Sequence, residues 1–426
     1  MNMKYLSALL LWLMLASSAL AQQTKNEGKS APVFKKSAVV KAYRGYMKEK
    51  NYGQAKKTLD EAVSNHEEAA SDALFYKLEV DVLNELIGVE NRKIYLKTNP
   101  DTTTYFNYMY ELYGKGLVCD SLEQQGIAAK EALGKKVNPQ FRSQVGHTML
   151  TYRKNLLSAG KYYYQKKDYS HAYQFFHMYA RTKSASVFSD SKGNTLVGDP
   201  DDMTDVAVLA TLSAYGSENH AGVMAYLSEG LNDQNLRPQL LEIGSKSAAQ
   251  LGDTIQMVEL LQKGFDNYPD TEYFLMTLVR HCNDTGDYEQ ALQYALRMTA
   301  LHPERRDYWY MAGTEQQLLQ YYAEALVSFQ KCVEIKADDA EAFVAIGNIH
   351  LHEAHEAYAH FNVPLSDPTY SQQRAAITQQ YSDACTAFEQ ARRFDESNRT
   401  LWLEGLRETY FKLNRGNALK ALEKYK

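Results

Sequence analysis

The sequence predicts an all-α fold, an α-solenoid of stacked antiparallel helix pairs, and three observations carry the prediction. A period of 34 residues runs through the second half: Pro269 and Pro303 stand 34 apart, as do Ala291 and Ala325, Trp309 and Phe343, and Gly313 and Gly347. Small residues recur where helices must come close. Gly313 and Ala325 would let two antiparallel axes approach to about 8–10 Å, while Trp309, Leu326 and Phe329 supply apolar faces at helical spacing. Turn chemistry marks the joins, since Pro269-Asp270-Thr271 and Pro303-Glu304 end one helix and start the next. One helix pair cannot bury its apolar face alone and must stack on its neighbours, so the period predicts an elongated array with a groove, usually a surface for partners.

The stretch Trp309, Ala312, Gly313, Ala325 and Phe329 resembles the tetratricopeptide repeat (TPR), whose pattern is an aromatic, an apolar residue, Gly, and later Ala, an aromatic and Pro. Phe343, Ile346 and Gly347 repeat its first half. Stepping back by 34, the slot of Ala325 falls on Ala291, Met257 and Val223, and that of Phe329 on Ala295, Leu261 and Leu227. The register holds from Thr204 to Asp339 without a gap. The linking triplet Gly286-Asp287-Tyr288 recurs in weaker form at Lys167-Asp168-Tyr169 and at Lys50-Asn51-Tyr52, which marks two earlier units. The resemblance implies a right-handed array, and a role as an adaptor for other proteins.

Taken in order, the chain opens with a leader. Lys4 gives a positive start, Tyr5 to Leu15 is almost wholly apolar, and Ala19-Leu20-Ala21 is a small-x-small cleavage site before Gln22, so residues 1–21 read as a secretory signal peptide. The apolar run is short for a membrane span. Gln22 rather than Cys at the mature start argues against lipid attachment, and export to the periplasm or outer membrane of a Gram-negative bacterium is the expectation. Residues 22–35 are polar and Lys-rich, a flexible lead-in. Helical repeats follow over 36–186, with units starting near Lys36, Ala70, Asp101 and Phe141, the second and third resting on periodicity such as Leu74, Leu78, Val82 and Leu86. Residues 187–203 are rich in turn formers and read as an inserted loop. Its Asp199, Asp201 and Asp202 lack the order of a twelve-residue calcium loop, so a solvated loop is expected.

A second array spans 204–426. Inside it the Ala-x3-Phe pattern due at position 359 appears at Ala384 and Phe388, 25 residues late, with Pro364 and Pro368 bracketing a turn. Both helices of that unit are therefore expected to lengthen into a hairpin extension over 352–380 that stands clear of the stack. The array closes on Leu401, Trp402 and Gly405 and a charged last turn.

Composition excludes other classes. The chain is 45% hydrophobic and 23% charged with a formal net charge of −5, and no basic run is long enough for a nucleic-acid arm. Cys119, Cys282, Cys332 and Cys385 share no framework spacing, so free buried thiols are expected. His350, His352, Glu353, His355, Glu356 and His360 tempt as a metal site. His355 and His360, however, are five apart, which turns the helix by about 140° and separates the rings. No phosphate loop, nucleophile elbow or Cys-His pairing occurs, so neither an enzyme nor a cofactor is expected.

The functional expectation is an exported scaffold that binds a protein or extended peptide in its concave groove. In the family resembled, the residue after the Gly slot of the first helix faces that groove. Here that position holds Arg44, Lys161, Lys246, Arg280 and Arg407 in five of eight units, with Leu212, Thr314 and Asn348 as the exceptions, which predicts a positive stripe and an acidic partner. The family's carboxylate clamp is not carried over, because the corresponding positions of the 306 unit are Tyr310 and Thr314. The alternative is a glycan-binding component of an outer-membrane polysaccharide-uptake system.

Overall fold

A computed structural model describes residues 34–189, 194–198 and 202–425. The expected leader at 1–21, the lead-in up to residue 33, and Asp199 and Asp201 of the inserted loop lie outside the described residues. The described chain is all-α apart from an isolated antiparallel bridge between Ser189 and Thr195. It divides into two compact units at Asp202/Met203.

The first unit contains α1 (Lys36–Lys48), α2 (Tyr52–Asn65), the single turn α3 (Glu67–Ala70), α4 (Ala73–Leu96), α5 (Thr102–Glu131), α6 (Arg142–Gln165), α7 (Tyr169–Arg181) and a 3-10 turn over Ser186–Phe188. Successive helices pack as α1 with α2, α4 with α5 and α6 with α7. Where the sequence suggested two units from Ala70 and Asp101, the structure has one hairpin of two long helices. Gly114, Gly116 and Gly126 sit inside α5 and do not break it, although each interior Gly costs about 1 kcal/mol. Packing offsets that cost at Gly116, where an added Cβ would stand 2.4 Å from the Met149 sulfur.

Helix α6 has no cap of its own at Phe141. The buried Glu123 carboxylate on α5 supplies one, accepting the backbone N–H groups of Phe141 at 2.8 Å and Arg142 at 2.9 Å. The inserted loop does not begin as a solvated segment. Val187 and Phe188 are buried, and the bare backbone of Gly146 lets them settle: a Cβ there would meet the Val187 carbonyl oxygen at 2.2 Å.

The second unit runs α8 (Thr204–Gly216), α9 (His220–Gly230), α10 (Arg237–Gln250), α11 (Thr254–Asn267), α12 (Glu272–Thr285), α13 (Tyr288–Leu301), α14 (Arg306–Leu318), α15 (Tyr322–Ile335), α16 (Ala340–Ala359), α17 (Tyr370–Phe394), α18 (Arg399–Lys412), α19 (Gly416–Ala421) and a 3-10 turn at Leu422–Tyr425. Each helix packs on the next in the chain, as consecutive antiparallel pairs. The linking triplets of the sequence are one turn in the structure. A residue in the left-handed region precedes an Asx side chain that caps the second helix of the pair, as at Gly286-Asp287 (φ 77°) and Glu218-Asn219 (φ 57°). The same turn serves the first unit at Lys50-Asn51 and Lys167-Asp168. Gly relieves the strain of positive φ at Gly286, whereas Lys50, Lys167 and Glu218 bear it.

The Gly slots do what close approach requires. A Cβ on Gly313 would stand 2.8 Å from the Phe329 ring. Phe388 fills two slots at once: a Cβ on Gly347 would meet its ring at 3.0 Å, and one on Gly405 at 2.4 Å. Buried apolar side chains follow these contacts through the unit, from Leu227, Leu261 and Phe274 to Phe388 and Trp402.

Helices α16 and α17 have 20 and 25 residues, against 13 and 14 in the preceding pair. The extension does not stand wholly clear of the stack. Ala354, Ile377 and Tyr381 are buried together against Leu413, and His355 Nε2 lies 2.7 Å from the Glu408 carboxylate on α18. Beyond that base the tip is exposed, with Leu365 81% accessible.

Candidate functional site

The five basic residues each follow a buried residue, Tyr43, Gly160, Ser245, Val279 and Leu406, and are turned about 100° from it around the helix, toward the free side of the first helix in each pair. Two of the five predicted basic residues belong to the first unit, Arg44 on α1 and Lys161 on α6, and both are exposed. Three belong to the second. Lys246 on α10 is half-buried, its ammonium bonded to Glu242 one turn away at 2.5 Å and lying 4.9 Å from the centre of the Tyr273 ring. The hydrogen bond to Glu242 holds its pKa above the ordinary lysine value. Arg407 on α18 is likewise bonded to Glu404 on its own helix, at 2.6 Å. Arg280 on α12 is exposed and makes no ion pair with any described residue.

Local pairing thus decides how much field the expected stripe delivers in this unit. Two cations are compensated by carboxylates within a turn, and Arg280 supplies the uncompensated charge. It stands in a built surface. Tyr273, Met276 and Arg280 are spaced i, i+3 and i+7 and share one face of α12. Tyr273 is held by a 3.0 Å hydrogen bond between its hydroxyl and that of Ser245 on α10, and Met276 is 53% exposed. The face offers a fixed aromatic ring, an adaptable thioether and a free guanidinium.

Next along the stack, the Arg306 guanidinium on α14 bonds the buried Asp339 carboxylate, with one N–H···O distance of 2.8 Å, and lies over Tyr310 at 4.3 Å. Asp339 also caps α16 through the Ala342 N–H at 3.2 Å. This pair ties one repeat to the next and is spoken for. Deeper between α12 and α14, the Asn283 amide donates to Glu315 at 3.0 Å, and burial raises the Glu315 pKa above the ordinary value.

The histidine-rich helix does not converge. His350 Nδ1 lies 2.9 Å from Gln380, the His352 ring 4.7 Å from that of Tyr322, His355 on Glu408, and His360 3.7 Å from Glu356. Among the described residues no group of three His, Cys, Asp or Glu side chains is placed to hold a metal ion. All four cysteines are buried free thiols, and burial pushes Cys119 and Cys332 up to about 12. Among the described residues no helix is long and apolar enough to cross a membrane.

A pocket that sequence reading missed lies in the first unit, about 620 Å³ in volume, between α5 and α7 with Tyr76 of α4 at its side. Asn107, Tyr110, Gly114 and Val118 line it from one face of α5, and their spacing of three and four was visible in the sequence. Gln174 and Phe175 complete it from some 60 residues away, and nothing local announces that contact.

No protein-family model matches the chain, and no curated protein sequence matches it. Solved structures do resemble it. The C-terminal part of a TPR repeat-containing protein from Cytophaga hutchinsonii is 12% identical, with 63% of this chain and 93% of that chain covered at a TM-score of 0.40. A TPR repeats protein from Bacteroides fragilis is 12% identical, with 61% and 98% covered at a TM-score of 0.30. MamA from Desulfovibrio magneticus is 14% identical, with 42% and 96% covered at a TM-score of 0.28.

Proposed function

We propose that the chain is an exported TPR-type scaffold whose second unit docks an acidic protein segment on the free face of its first helices. The observation that carries this reading is the Tyr273, Met276 and Arg280 face of α12, where an arginine with no ion pair to any described residue shares a helix face with a fixed ring and an exposed apolar side chain. Buried aromatic and Arg anchors dominate binding energy at protein interfaces, and an uncompensated cation selects anionic partners. Lys246 adds to the face once a partner carboxylate competes with Glu242. Arg44 and Lys161 extend the same reading to the first unit.

The test is charge reversal. The wild-type chain and the Lys246→Glu, Arg280→Glu double variant are each used to recover partners from envelope extract, at low and high salt. A partner retained by the wild type at low salt, released by salt, and lost with the double variant at unchanged helicity supports the reading. Equal recovery by both proteins would overturn it. Export is tested separately by intact mass, which is expected to place the mature start at Gln22. Exported material that keeps residues 1–21 would refute that part.

A further inference from the structure

We infer that the pocket between α5 and α7 in the first unit binds a neutral saccharide. This inference is independent of the docking face proposed for the second unit. It rests on three features that together specify the occupant.

The first is that neither lysine at the pocket is free. The Lys115 ammonium bonds the buried Glu79 carboxylate at 2.7 Å, and Glu111 bonds Lys56 at 2.7 Å, with Asp60 on the other side of that lysine at 2.8 Å. His171 is held by Asp168 at 2.8 Å. An anionic guest would find no free cation to meet it, and desolvating its own charge would count against binding. A neutral guest meets no such penalty.

The second is the pairing of rings with unused amides. Tyr76 and Tyr110 stand half-buried at the pocket, and their rings are fixed. The Tyr76 hydroxyl donates to the Ala70 carbonyl at 3.1 Å, and Tyr110 meets Phe175 edge to face with centroids 5.4 Å apart. Asn107 and Gln174 line the same pocket, and neither side chain makes a hydrogen bond to any described residue. Each amide offers two donors and an acceptor. Lys115 and Glu111 keep further donor and acceptor capacity beyond their single bonds. An aromatic face suits the C–H side of a pyranose, through apolar contact and the negative face of the ring, while planar amides and a carboxylate edge suit its hydroxyl rim. A purely apolar guest, such as a Phe side chain, would strand the amides.

The third is the vacancy at Gly114. A Cβ added there would meet nothing within 4 Å, so this turn of α5 presents bare backbone to open space. The volume, about 620 Å³, lies within the ~300–1,000 Å³ range of small-molecule sites.

Gly114 also supplies the test. Gly114→Leu fills the pocket from a helical position without a clash at its Cβ, and it replaces a poor helix former by a good one. Asn107→Ala with Gln174→Ala keeps the volume and removes the unused amides. Both variants and the wild-type chain are examined by saturation-transfer NMR against glucose, galactose, mannose, N-acetylglucosamine, maltose, cellobiose and lactose. Galacturonate, glucosamine and N-acetylphenylalaninamide serve as anionic, cationic and peptide-like probes. The expected result is saturation of at least one neutral sugar, insensitive to salt, with affinity reduced at least tenfold in both variants while far-UV circular dichroism and the unfolding midpoint hold. Silence from every neutral sugar would overturn the inference, as would equal binding by Gly114→Leu or a preference for a charged or peptide-like probe. If Gly114→Leu alone loses helicity, the amide variant decides.

Discussion

Glu315 and Asn283 make the sharpest prediction about the fold. Asn283 Nδ2 donates to Glu315 Oε1 at 3.0 Å, and the two remaining oxygens, Asn283 Oδ1 and Glu315 Oε2, are buried without a partner. Both are acceptors and neither has a donor. A buried polar atom left unsatisfied costs about 1–3 kcal/mol. Glu315→Gln keeps the shape and supplies an N–H group that can reach Asn283 Oδ1, so the variant is expected to stabilise the second unit by about 1–3 kcal/mol at pH 7. The sign with pH follows from burial, which raises the Glu315 pKa above its ordinary value of 4.5. A raised native pKa means that the cost is absent below the ordinary value and grows as pH rises through the native one. The advantage of Glu315→Gln should therefore be larger at pH 7 than at pH 4 and vanish below about 4.5. Urea unfolding at pH 7 and pH 4, followed by the fluorescence of Trp309 and Trp402 in the second unit, reads it directly. A variant no more stable than wild type at pH 7, or equally favoured at both pH values, would refute the reasoning.

Two further predictions concern the joints between repeats. Asp339→Ala removes a helix cap, about 1 kcal/mol, and a charge-assisted pair with Arg306, about 2 kcal/mol; the sum near 3 kcal/mol should couple strongly to Arg306→Met, and strict additivity in the double-mutant cycle would show that the two side chains act apart. Replacing residues 357–374 by a short turn removes the exposed tip and should leave the urea midpoint almost unchanged. Cutting back to 352–380 also deletes Ala354 and Ile377 and should cost about 2–5 kcal/mol. Equal midpoints for the two truncations would mean that the base of the extension does not pack on α18.

What could be read in advance divides along physical lines. The Gly313 and Ala325 slots were legible because close approach of two helices admits few residue types, and the structure puts the Phe329 ring against the bare Gly313 backbone. The long α4 and α5 hairpin was misread as two units. Gly116 is a poor helix former locally, and the packing that holds the helix there comes from Met149, 33 residues further along the chain. The basic slots were visible as residues but not as charges, since whether Lys246 is free depends on the rotamer that brings Glu242 within 2.5 Å. The pocket escaped for a related reason. Half of its lining is a helix face that any reader could mark, and the other half arrives only by folding.

Phe388 serves two interfaces with one ring, inserted against Gly347 on one side and Gly405 on the other. In a linear array each joint carries its own coupling, and the last repeat, having a single neighbour, is the first to fray. Here the terminal pair shares its anchor with the joint before it. Opening α18 would expose the face of Phe388 that also secures α16, so the two joints should open as one cooperative step. Amide protons of α18 should then exchange at the rate of those in α16, instead of along a gradient that quickens toward the C-terminus.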